Sequence, residues 1–260
     1  MLRPLGQLFS LPEGLEGILV PAFLGGYPLG AQAVGRLYTA GNLSKGDAQR
    51  LLAYCSNAGP SFLFGIVGQM FPEKWMVWAI WGIQIGSAFL VSSWLPPADS
   101  SFSRTGSQQN KPSAMRTAVS AMGSICGWVV VFRVLIAFLD RWFLWLLNPV
   151  SKVFVMGILE LTNGCCSLLQ IHDVQRRFIL CAGMVSFGGL CVGIQTASVT
   201  EGLSLAGYWL GKVVQTLAAM VLAWLIWNGL WYGPIFLLLL SLLHKGKFRK
   251  NSSNPALLGV

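Results

Sequence analysis

Five stretches of this chain, 49–70, 75–95, 117–147, 174–198 and 205–228, are apolar runs with few charged side chains inside them. Each is long enough to cross a bilayer, which takes about 20 predominantly apolar residues. Charged residues make up only 10% of the chain, against about 25% in an ordinary soluble domain. An all-α integral membrane protein is the fold class this pattern dictates, because in lipid a lone segment satisfies its own backbone hydrogen bonds only as a helix. The eleven tryptophans and fifteen phenylalanines suit the aromatic belts of a membrane interface.

The net charge of +9 does not point to nucleic acid. The basic residues sit between apolar runs and in the tail "HKGKFRK", where they act on topology and lipid headgroups. The lipid bilayer is therefore the first expected partner. The N-terminus "MLRPLGQLFSLPEGLEG" has neither a long apolar core nor a small-residue cleavage site, so no cleaved signal peptide is expected. The six cysteines all lie in apolar stretches without CxxC spacing, which suits packing rather than metal ligation or disulfides. His172 and His244 stand at segment ends and support no metal site. No phosphate-binding, nucleophile-elbow or zinc-protease motif is present, so the sequence gives no argument for an enzyme and none for a cofactor.

Two further apolar segments are not ordinary spans. Residues 15–38, "LEGILVPAFLGGYPLGAQAVGRLY", carry Pro21, Gly25, Gly26, Pro28 and Gly30 in their middle. Residues 152–171, "KVFVMGILELTNGCCSLLQI", carry Glu160, Thr162, Asn163 and Gly164. Two short apolar arms around a polar tip predict a re-entrant hairpin, whose non-helical tip must be buried in protein or line a cavity. The first span is also interrupted, by Ser56, Asn57, Ala58, Gly59 and Pro60. That is more disruptive than a simple proline kink.

An offset of 126 residues aligns "AQRLLAYCSNAGPSFLFGIVGQ" (48–69) with "VQRRFILCAGMVSFGGLCVGIQ" (174–195), matching Gln49, Arg50, Cys55 and Gln69 to Gln175, Arg176, Cys181 and Gln195. A hairpin precedes the aligned helix in both cases. The expected organisation is thus a first half over 1–95, a polar linker over 96–116, a second half over 117–243 and a basic tail over 244–260. The halves form an inverted repeat of about five transmembrane helices and two hairpins. Such repeats place broken helices and a solute site near the bilayer midplane in secondary transporters. Residues 229–243 are short for a further crossing and begin at a Gly/Pro break.

Glu160 is the one acidic residue well inside an apolar run, where a carboxylate costs several kcal/mol unless paired, hydrated or protonated. With Thr162 and Asn163 it forms a candidate site for a polar solute, a cation or a proton. The plainer alternative is a structural ion pair with Arg133 or Lys212. Tyr27 and Gln32 at the first tip are candidates for solute or gate contacts, or members of a glycine-rich packed turn. Ser56 and Asn57 open the first break, where freed carbonyls and N–H groups are ready ligands. Gly183, Ser186, Gly188 and Gly189 mark a second break, although glycines also serve close helix packing. A coupling ion, sodium or a proton, is compatible with this set.

The stretch "GGYPLGAQAVGRLYTAGNLSKGDAQRLLAYCSNAGPSFLFGIVG", together with "LELTNG", resembles the nucleoside-recognition (Gate) domain membrane proteins, most nearly the YlbJ-type sporulation integral membrane proteins. The resemblance extends over residues 15–228. It implies an architecture similar to concentrative nucleoside transporters, in which two hairpins and two unwound helices enclose a polar solute and a coupling cation. It also implies a multi-pass protein of a bacterial cell membrane, forespore or mother-cell, with a role in spore formation. On that footing Gln32, Glu160, Thr162 and Asn163, with the breaks at Ser56, Asn57 and Ser186, would line the site. Members of that type usually carry further membrane helices before the first hairpin, so that scaffold would come from a partner membrane subunit or a second copy, or else the start of the sequence is truncated. Two functions follow. One is a transporter-like protein that binds or moves a small polar or anionic solute; the other is a non-transporting structural or assembly subunit.

Overall fold

The computed structural model describes residues 3–11, 14–96 and 114–252, with the backbone alone for 114, 116–118 and 244–252. Most of the expected linker and the end of the basic tail lie outside the described residues. Among the described residues there is no strand, and twelve α-helices follow one another. They are α1 (Arg3–Leu8), α2 (Leu29–Thr39), α3 (Lys45–Leu52), α4 (Pro60–Gly65), α5 (Lys74–Trp94), α6 (Ala114–Trp142), α7 (Pro149–Leu159), α8 (Leu161–Ser167), α9 (Val174–Phe187), α10 (Gly189–Val199), α11 (Ala206–Trp227) and α12 (Tyr232–Ser252).

Four spans are long and apolar enough to cross a membrane: Lys74–Trp94, Val119–Trp142, Val174–Val199 and Ala206–Trp227. These correspond to four of the five apolar runs. The fifth, 49–70, is not one helix. α3 ends at Leu52, residues 56–59 have no regular structure, α4 resumes at Pro60, and a short 3-10 turn covers Val67–Met70. Within residues 229–243, Tyr232–Leu243 is a shorter apolar helix, the first part of α12, which packs on α5 and α11.

α5 and α11 form the antiparallel spine of the bundle. Trp75 near the start of α5 meets Trp227 at the end of α11, ring centroids 6.2 Å apart. At the opposite end Val91 and Trp94 share a groove with Ala206, Gly207 and Leu210. The spine carries two hydrophobic cores. One joins Met76, Val77, Ile80 and Ile83 to Ala219, Leu222 and Ala223, with Phe178 and Val185 of α9. The other joins Ala88, Phe89 and Val91 to Tyr208, with Leu51, Leu52 and Tyr54 around the first break. Between the two cores lie three polar side chains of the spine, Gln84, Lys212 and Gln215, each at most 1% exposed.

The second break is narrower than the glycine pattern suggests. α9 continues through Gly183 and Ser186, and the chain turns only at Gly188 and Gly189, both with φ of +85°. An L side chain at such a φ is strained, and glycine removes that cost. Gly183 instead lets Met220 of α11 approach α9, the packing role that was its alternative. The second expected hairpin is two helices, α7 and α8, joined at Glu160 and packed so closely that a Cβ on Gly164 would overlap Gly157.

Candidate functional site

The first break is held open by side chains. Buried main-chain carbonyls must find donors, and here alternate carbonyls are each taken by a side chain. Asn57 Nδ2 donates to Tyr54 O at 2.7 Å. Gln84 Nε2 donates to Ala58 O at 3.1 Å. Lys212 Nζ donates to the carbonyl of Ser56 between them. Gln215, one turn after Lys212, donates Nε2 to Asn57 Oδ1 at 2.9 Å and offers its Oε1 to Lys212 at 3.0 Å. A non-helical stretch can thus sit fully buried because α5 and α11 supply the donors that a helix would have supplied itself.

Lys212 also reaches the second half-helix and the first tip. Its Nζ lies 3.3 Å from Ser186 O near the C-terminal end of α9. It is 3.5 Å from Tyr27 Oη and 5.3 Å from the Tyr27 ring centroid. Tyr27 in turn donates its hydroxyl to Val185 O at 3.0 Å. The segment that carries Tyr27 is pressed onto the break: a Cβ on Gly30 would overlap the Cys55 carbonyl oxygen, so only glycine fits there. Four of the expected site residues, Tyr27, Ser56, Asn57 and Ser186, therefore meet in one polar knot.

Glu160 makes a second locus. It is the N-cap of α8, and its Oε1 accepts from Thr162 N at 2.9 Å. Its Oε2 accepts from Asn163 N at 2.7 Å and from Asn163 Nδ2 at 2.6 Å. The carboxylate is thus satisfied by its own helix start, a stabilising arrangement for a negative charge. The ion pair with Arg133 or Lys212 that the sequence left open is absent among the described residues. Arg133 is exposed, and Lys212 is saturated elsewhere. A cavity of ≈ 170 Å³ lies against Glu160 and Thr162 on one side and Gly26, Tyr27, Ala58 and Gly59 on the other, with Ser61 and Gln195 also lining it. It brings together the two tips and the first break.

Gln32 does not join either locus: it is half-buried on α2, and no hydrogen bond of its amide connects it to them among the described residues. Asn163 serves Glu160 as a capping donor. Gln84 and Gln215 are not among the residues the sequence singles out, and Lys212 enters there only as an ion-pair partner for Glu160, although each is a polar side chain in the middle of an apolar run.

No family model, curated protein or solved structure matches the chain. The all-α fold and the apolar spans are properties of the molecule itself, and its function has to be argued from the two loci.

Proposed function

We propose that this chain is a transporter-like multi-pass membrane protein that binds, and moves, a small polar solute between the Tyr27 tip and the Glu160–Thr162 tip. The observation that carries this reading is the cavity the two tips share with the first break. Its polar lining supplies one carboxylate, three hydroxyls and an amide, from Glu160, Tyr27, Thr162, Ser61 and Gln195, and no basic side chain. That set favours a neutral polar or cationic solute over the anionic one that the sequence also allowed. A volume of ≈ 170 Å³ is below the roughly 300 Å³ at which drug-sized ligand pockets begin, so a small solute fits it better than a nucleoside.

In this reading α7 with α8, and the 15–38 segment, are re-entrant hairpins meeting near the midplane of an inverted repeat. Two features support the repeat. The Arg50–Asp47 and Arg176–Asp173 ion pairs are both i,i+3 and fall 126 residues apart, and Cys55 and Cys181 are both fully buried. The breaks themselves fall at unequal positions, after α3 in one half and at Gly188 in the other, as expected of halves that have diverged. The Gate-domain resemblance extends the proposal to the membrane of a spore-forming bacterium.

Binding of candidate polar solutes to the purified protein, by calorimetry, and uptake in proteoliposomes test this. Glu160→Gln and Thr162→Val should fold and melt near the wild type. Loss of a hydrogen bond to a charged group, ~1.5–3 kcal/mol, corresponds to roughly tenfold or greater weakening. Unchanged affinity and flux in both variants would remove the cavity from consideration.

The second reading, a non-transporting assembly subunit, has one observation in its favour. Helix α6 packs only lightly, with 11% of its apolar span buried, and it presents Val130, Val131, Val134 and Phe138 outward. A partner membrane helix or a second copy would cover that face as well as lipid does. Crosslinking from α6 that captures a stoichiometric protein, with no solute bound by the wild type, would favour it.

A further inference from the structure

The Lys212 ammonium sits in an unusual shell. It has three N–H donors, but four oxygens lie within its reach: Ser56 O, Gln215 Oε1 at 3.0 Å, Ser186 O at 3.3 Å and Tyr27 Oη at 3.5 Å. The first comes from an unwound stretch and the third from near the C-terminal end of a half-helix, where the helix dipole is negative. All four are neutral, none belongs to a carboxylate, and they converge from four separate parts of the chain. Acceptors in excess of donors, aimed at one point, describe a coordination shell for a hard cation more closely than a set of paired hydrogen bonds. The hydroxyls of the same two serines, Ser56 and Ser186, are buried and have no hydrogen-bond partner among the described residues. They are unpaired oxygens on the same two residues whose carbonyls meet Lys212.

We infer that these oxygens form a monovalent-cation site, and that the chain fills it with its own Lys212 ammonium in place of a free ion. The neutral ligand set matches a single positive charge; a divalent ion in a buried site calls for carboxylates as well. Lys212 is fully buried and has no acidic partner among the described residues, so its charge rests on these dipoles. The tether keeps the ammonium at the site without a free ion. The two breaks are then held together without sodium in the surroundings, whether or not a solute passes between the tips.

The test is thermal melting of the full-length protein in detergent, at constant ionic strength, in sodium, potassium, methylammonium or choline chloride. The wild type should melt at one temperature in all four. Lys212→Ala opens the shell, and its melting temperature should be lower in choline and rise saturably with sodium or methylammonium. Lys212→Met refills the space with an apolar chain and should be destabilised with no response to any salt. A saturable sodium effect on the wild type overturns the inference, as does a folded Lys212→Ala that ignores every cation. A Lys212→Ala protein that cannot be folded in sodium, potassium or methylammonium overturns it too, because an open cation site would accept one of them.

Discussion

Gln215 Nε2 donates to Asn57 Oδ1 at 2.9 Å, joining the middle of α11 to the first break across 158 residues of sequence. Both side chains are fully buried, and Gln215 simultaneously accepts from Lys212. A polar group stranded in such a place costs about 1–3 kcal/mol. Gln215→Leu and Asn57→Ala should therefore each lower the melting temperature by several degrees. The double variant should lose less than the sum of the two, because residues sharing one network couple by about 0.5–3 kcal/mol. A strictly additive double-mutant cycle, read by tryptophan fluorescence during heating, would show the contact to be idle.

Gly30 and Gly17 should behave oppositely on substitution by alanine. A Cβ at Gly30 would overlap the Cys55 carbonyl, and backbone on both sides leaves it nowhere to go. A Cβ at Gly17 meets nothing within 4 Å. Gly30→Ala should cost at least about 3 kcal/mol or prevent folding, beyond ordinary overpacking, and Gly17→Ala should leave the melting temperature unchanged. Yield and monodispersity in detergent give the first readout, melting the second.

Replacing the Glu160 cap should separate stability from binding. Glu160→Ala strips three N–H groups of their acceptor, and losing such a cap typically costs about 1 kcal/mol, up to about 2. Glu160→Gln keeps an acceptor oxygen and should melt closer to the wild type. If both variants melted identically, the carboxylate would not be holding α8.

The Lys152–Asp140 pair is short, at 2.6 Å, but Asp140 is 48% exposed. Exposed pairs contribute about 0–1 kcal/mol. Lys152→Ala should therefore shift melting little, and less at high salt. A large loss would mean that α6 and α7 are anchored to each other by this one contact.

The sequence by itself determined the class of the molecule and where its irregularities lie. Apolar runs of membrane length satisfy their backbone as helices, and four of the five became candidate spans, at Lys74–Trp94, Val119–Trp142, Val174–Val199, which turns at Gly188, and Ala206–Trp227. The break at Ser56–Asn57 and the polar tip at Glu160 were legible because glycine, proline and polar side chains interrupt otherwise unbroken hydropathy. Only the tertiary structure decided what those irregularities do. Hydropathy says that Gln84, Lys212 and Gln215 are out of place, but it cannot say which way a helix turns them. The answer depends on how α5 and α11 pack across the break. Packing placed Gln84 under Ala58 O, Lys212 under Ser56 O and Ser186 O, and left Glu160 to cap its own helix. A hydrogen bond is specified within a few tenths of an ångström, and partners more than a hundred residues apart reach that distance only once the whole bundle has formed.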